Sequence, residues 1–166
     1  MRWQPSKPTC DECGFSWTIA VTEALDIVTD APALVATALD RAGEAAIVSP
    51  APGTWSACGY AWHLVDVLRI GTERLWTIAD DPGRTLPCWD ENALADARSY
   101  GKLSPVVAPR ALRDAAATWL AAALRMPEDA AARHEADGTV TAGDVIRRNA
   151  HEARHHLRDI ARVTPP

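Results

Sequence analysis

Apolar residues recur along this chain at spacings of three and four, and proline and glycine mark the breaks between the runs. Asp30-Ala31-Pro32 reads as a helix start, with Asp30 as cap and Pro32 in the first turn. The pattern Leu34, Val35, Ala38, Leu39, Ala42 carries that helix to about Ile47, behind a short helical piece over Thr22 to Val28. Pro50, Pro52 and Gly53 end it. A second helix opens at Trp55-Ser56 and runs to about Ala79 through Ala61, Leu64, Val65, Leu68, Leu75 and Trp76, and Asp81-Pro82-Gly83 stops it. Residues 82–107 are turn-rich, with one helical turn expected near Asn92 to Arg98. A third helix spans Pro109 to about Met126, with Leu112, Ala115, Ala116, Trp119, Leu120 and Ala123 on one face and Pro127 closing it. The fourth follows Asp137-Gly138, is capped by Thr141 and Asp144, and runs through Ile146, Ala150, Ala153, Leu157 and Ile160. No strand is predicted. The expected fold is all-α, a four-helix bundle with a long connection between its second and third helices. An irregular arm, residues 1–17, is expected to precede a domain over 18–166.

Composition supports one domain: 166 residues, 48% hydrophobic and 23% charged, form a single core without a disordered tail. Alanine abundance favours helix. Trp55, Trp62, Trp76 and Trp119 fall in helical patterns and are expected in the core, and Trp89 and Tyr100 at a pocket mouth. A formal net charge of -5 argues against nucleic acid or an anionic membrane as the principal partner. No apolar run is long enough to span a bilayer, and the Met1-Arg2-Trp3-Gln4-Pro5 start lacks the apolar stretch of a signal peptide, so the expected location is cytoplasmic.

Four cysteines in a reducing compartment point to metal or redox chemistry rather than a disulfide scaffold. Cys10 and Cys13 have the C-x-x-C spacing of a zinc knuckle, and Gly14 permits its tight turn, so the pair is a candidate second metal or redox site. A closed site wants two more ligands, and nothing in the spacing brings Cys58 and Cys88 to that pair. Among the five histidines, His151 and His155 lie one turn apart on one helix face, and His63 lies on the second helix. Three imidazoles from two facing helices would form an open metal site. The helical wheel favours a solvated face instead, because His151 and His155 lie opposite the stripe of Ile146, Ala150, Ala153, Leu157 and Ile160. His151-Glu152-Ala153-Arg154-His155 also matches H-E-x-x-H. No metzincin-type continuation follows it, so peptide hydrolysis is not expected. His134 and His156 are read as structural or surface residues.

The order and spacing of three segments resemble the DinB/YfiT-like superfamily of metal-binding four-helix bundles. These are Trp55-Ser56 leading into Tyr60-Ala61-Trp62-His63-Leu64-Val65-Asp66, then Trp89-Asp90 with Tyr100, then Gly138-Thr139-Val140-Thr141 leading into His151-Glu152-Ala153-Arg154-His155-His156. The likeness covers about residues 20–163. It implies that His63, His151 and His155 are the metal triad, set in a groove at one end of the bundle, with Asp66 and Glu152 as candidate partners of imidazole N–H groups. It implies a divalent metal, zinc ahead of nickel or manganese.

Several members of that superfamily are S-transferases using mycothiol, bacillithiol or glutathione, and related domains occur in maleylpyruvate isomerase and in ergothioneine biosynthesis. The resemblance therefore implies metal-assisted transfer of a low-molecular-weight thiol co-substrate to an electrophile, in detoxification or secondary metabolism. Arg154 and Arg158, with Arg147 nearby, are the residues expected to orient the thiol. The alternative is a metal-binding or stress-associated interaction protein without turnover. A homodimer formed through the Tyr60, Val67 and Ile70 side is a further expectation.

Overall fold

A computed structural model describes residues 7–81 and 83–164. Positions 1–6 of the expected arm, and Pro82 of the expected helix stop, lie outside the described residues. Helix α1 spans Val21–Ala42, α2 Ala57–Asp80, α3 Glu91–Arg98, α4 Ala108–Ala123 and α5 Ala142–Val163. Strands β1 (Thr85–Leu86), β2 (Ala131–His134) and β3 (Gly138–Thr141) lie between them.

The expected break before Pro32 is absent, because α1 runs unbroken through Pro32. Proline removes one hydrogen bond to the Val28 carbonyl, a cost of about 3 kcal/mol. Burial of Ala24, Val28, Ala31, Pro32, Val35 and Leu39 on one stripe offsets it. Beyond Ala42 the chain tightens into a 3-10 turn, Gly43–Ile47, where the single helix was expected to continue. Helix α2 starts where Ser56 accepts a hydrogen bond from the Gly59 N–H at 3.1 Å. In α5 the Thr141 hydroxyl accepts from the Asp144 N–H at 3.1 Å while the Asp144 carboxylate accepts from the Thr141 N–H at 2.9 Å, a complete capping box.

Four helices form the bundle, and α3 lies in the long connection between α2 and α4. Helix α1 packs against α4 and α5, and α2 packs against the same two, so α1 and α2 sit across a diagonal. The ring order is α1, α5, α2, α4. Contrary to the strand-free expectation, β2 and β3 form an antiparallel hairpin with β1 added in parallel. Asp137-Gly138 is its turn signal, with Gly138 at φ 78°, a conformation glycine adopts without strain.

Trp62 and Trp119 are buried as expected, whereas Trp76 is 51% exposed. Tyr100 is buried, its hydroxyl donating to Asp66 at 2.5 Å, so it lines no pocket mouth, and Asp66 serves Tyr100 and Arg98 rather than an imidazole. The side proposed for dimerisation is largely covered within the chain, since Tyr60 and Val67 are buried. No helix among the described residues is long and apolar enough to cross a membrane.

Candidate metal centre

Helix α5 presents two metal-ligand pairs, not one. At about 100° per residue, His151 and His155 share one direction and Glu152 and His156 another, with the two directions about 100° apart. The first pair faces the N-terminal arm and the second faces α2. The structure therefore brings His63 together with Glu152 and His156, and brings His151 and His155 together with Cys10 and Cys13. In each group the donor atoms lie within 4.8 Å of one another.

In the first group, His63 is 2% exposed, and its Nε2 lies 3.8 Å from Glu152 Oε2. His156 Nε2 lies 3.1 Å from the same oxygen, and its Nδ1 lies 3.0 Å from Asp159 Oδ2. Two donors held about 2.1 Å from one tetrahedral ion stand about 3.4 Å apart, and these separations bracket that value. With Nδ1–H donated to Asp159, His156 has Nε2 free as a ligand nitrogen, the orientation that an outer carboxylate commonly imposes. The His63 Nδ1 is buried and makes no hydrogen bond. Two imidazoles and a carboxylate are a donor set suited to a borderline divalent cation such as zinc, nickel or manganese. The residues present fit the ion that the resemblance implies.

Electrostatics keep His63 and Glu152 in ligand-competent states and charge His156. Burial pushes the His63 pKa down, so its imidazole is neutral. Burial would raise Glu152, but the adjacent His151, His156 and His63 imidazoles, with Arg148 alongside, hold it well below the usual carboxylate range. Burial also opposes the charging of His156, yet Asp159 and Glu152 outweigh it and bring its pKa up to about 9. That proton must leave when a cation binds.

His63 and Glu152 form part of the wall of a cavity of about 150 Å³ between α2, α5 and the sheet. Trp89 stacks on His63 with ring centroids 5.7 Å apart and planes at 17°. Arg74 and Arg148 line the same cavity; Arg148 Nε contacts Glu152 Oε1 at 2.9 Å, and Arg74 donates to the Pro87 carbonyl at 2.9 Å. Buried His134, paired with Asp137 at 3.1 Å, closes another side. The cavity shares Ile70, Arg74 and Trp89 with a shallower groove of about 560 Å³.

In the second group, Cys10 Sγ lies 3.7 Å from His155 Nδ1. Arg154 and Arg158, expected at the thiol, are exposed on α5 away from the cavity, and Arg158 reaches Glu12 of the arm at 3.5 Å. Cys58 is buried near the Leu103 carbonyl and Cys88 lies at the cavity, so neither joins Cys10 and Cys13. Trp89 was expected at a pocket and lies there. Sequence reasoning assigns Glu152 only as a partner of an imidazole N–H and misses His156, Arg74 and Arg148 as site residues, although the i, i+4 spacing of Glu152 and His156 is as visible as that of His151 and His155.

The fold is shared with a solved structure, "YfiT from Bacillus subtilis is a probable metal-dependent hydrolase with an unusual four-helix bundle topology". The match has a TM-score of 0.79 at 14% identity, covering 96% of this chain and 90% of that one. No curated protein matches. The sequence profile of the DinB superfamily matches residues 27–160, from within α1 to near the end of α5, and on that match the chain belongs to the DinB superfamily.

Proposed function

We propose that the chain is a metal-dependent small-molecule enzyme that transfers a low-molecular-weight thiol to an electrophile at the His63, Glu152, His156 cluster. The observation that carries this reading is that two of those donors open onto a cavity bearing two arginines. In the reaction a sulfur–carbon bond forms as the bond to the leaving group breaks, and the thiol proton departs with that group. A divalent cation held by the three residues would lower the thiol pKa and stabilise the thiolate. Arg74 and Arg148 supply positive charge for a carboxylate or other anionic group on either reactant. Trp89 covers the face of His63 and provides an apolar wall that shields this side from water. The adjoining groove beyond Arg74 and Trp89 gives the second reactant room.

The experiment is thiol consumption by the full chain loaded in turn with zinc, nickel or manganese, offering mycothiol, bacillithiol or glutathione with monochlorobimane and other electrophiles. His63→Ala should cost about 100-fold or more in turnover and the metal of this cluster. Arg74→Gln should raise KM with a smaller effect on kcat. A set of two His and one Glu also serves zinc hydrolases, which favours water as the alternative nucleophile. Ester or amide hydrolysis without thiol consumption would select that alternative. Metal binding without turnover in either assay would leave the non-catalytic reading.

A further inference from the structure

We propose that Cys10, Cys13, His151 and His155 bind a second metal ion, a closed zinc site that fastens the N-terminal arm to α5 and has no catalytic role. It shares no ligand with the cluster that faces the cavity, although His155 and His156 both approach Asp159, and it stands whether or not that cluster turns over a thiol.

The arm is built as a knuckle. The Cys10 N–H donates to the Phe15 carbonyl at 2.8 Å, and the Gly14 N–H donates to the Cys10 carbonyl at 2.9 Å. Gly14 has φ 68°, which reverses the chain and turns both cysteines to one side. Trp17 N–H donates to the Pro8 carbonyl at 3.0 Å, closing the loop at its base. Fully buried Phe15 and half-buried Trp17 then pack on His151, with ring centroids 5.5 and 4.4 Å from the imidazole.

His151 is 0% exposed, and neither ring nitrogen has a partner in hydrogen-bond geometry; the adjacent carboxylate, Glu152 Oε1, stands 3.5 Å from its Nδ1. Leaving a buried polar group unsatisfied costs about 1–3 kcal/mol, so an imidazole held this way calls for a partner. Four donors meet there. Thiolate and imidazole bound to one tetrahedral zinc, at about 2.3 and 2.05 Å, stand about 3.6 Å apart. The 3.7 Å between Cys10 Sγ and His155 Nδ1 agrees with that spacing. A Cys2His2 set is the donor chemistry of structural zinc, and four protein ligands leave no open position for substrate. Thiolates also favour zinc over magnesium, calcium or manganese.

The ligands come from two places: residues 10 and 13 from the arm, 151 and 155 from the last helix. Binding therefore closes a loop of more than a hundred residues, and adds to the packing of Phe15 and Trp17 on His151 and to polar ties at the edge of the arm. Those ties are the Arg147 Nε donation to the Ile19 carbonyl at 2.8 Å and the Arg158 contact with Glu12 at 3.5 Å.

The test is cobalt substitution of the full chain, read by absorption. Cobalt in this site should give a thiolate-to-cobalt charge-transfer band and intense visible bands of tetrahedral cobalt. Cys10→Ser should abolish the charge-transfer band or weaken it at least twofold, and His63→Ala should leave it unchanged. Zinc content should be two per chain in the native protein and one in each of those variants. Because Cys10→Ser can loosen the arm, a second measurement uses the native chain: titration with a thiol reagent before and after chelation. Cys10 and Cys13 should react only after chelation. A cobalt form without the charge-transfer band overturns the proposal, as do cysteines equally reactive with and without metal or a Cys10–Cys13 disulfide in freshly purified protein. Loss of the band in His63→Ala would also overturn it, by showing one shared site. Loss of turnover alone bears on the cavity cluster and leaves this site standing.

Discussion

Gly71→Ala should destabilise the protein, although the position lies inside a helix where alanine is normally worth about 1 kcal/mol more than glycine. A Cβ at Gly71 would meet Asn149 Oδ1 at 2.2 Å, Cγ at 2.8 Å and Nδ2 at 3.0 Å. Asn149 is tethered: it is buried, its Oδ1 accepts from Trp119 Nε1–H at 2.8 Å, and its Nδ2 donates to the Val67 carbonyl at 3.4 Å. Moving the amide aside orphans the buried indole N–H, at about 1–3 kcal/mol, and the forced separation of α2 from α5 adds about 1–3 kcal/mol of overpacking. After the helix propensity gain is subtracted, a loss of about 3 kcal/mol is expected, which for a chain of this size lowers Tm by about 6–12 °C. Thermal melts and urea titration of native and variant protein measure it. The double variant Gly71→Ala with Asn149→Ala should be more stable than the sum of its single changes by about 1 kcal/mol or more, because the obstructing amide is gone. A Gly71→Ala protein that melts at or above the native temperature, or a double variant that is simply additive, would refute the close-approach account.

Two further outcomes follow from the fold. Asp66→Ala removes the acceptor shared by Tyr100 and Arg98, and should cost about 2–3 kcal/mol in urea unfolding, since a buried hydroxyl and a half-buried guanidinium lose their partner together. Thr141→Ala breaks the capping box of α5 and should cost about 1 kcal/mol, a Tm decrease of about 2–4 °C.

The bundle was legible because its signals are local. Ser56, Thr141 with Asp144, and Pro109 mark helix starts, and their chemistry acts within one turn. Pro32 misled for the same reason: a local start signal was overridden by tertiary burial of the stripe around it. The hairpin was hidden because Asp137-Gly138 was read only as the punctuation before α5, when the same dipeptide is a hairpin turn signal. The wheel puts His151 and His155 on a solvated face, whereas His151 is fully buried and His155 largely so. Phe15 and Trp17 bury that face, and no periodicity within α5 records what a segment more than a hundred residues away will cover. The order of residues 151–156 holds two interleaved i, i+4 pairs, and only the packing of α5 between α2 and the arm assigns each pair its partners.

The ring order α1, α5, α2, α4 has a consequence for how the chain reaches this state. In an up-and-down bundle, successive helices touch, and a helical hairpin can form as soon as its second helix is made. Here the first two long helices face each other across a diagonal, so neither completes a buried surface for the other. The helices that touch both are α4 and α5, the last two long helices in sequence. The contacts of α5 with α1 close loops of a hundred residues or more, and such non-local closure slows folding relative to a bundle of local hairpins. The apolar stripes of α1 and α2 therefore stay open until α4 is made and are closed fully only by α5, and this interval is when the chain is most exposed to aggregation and has most need of chaperones.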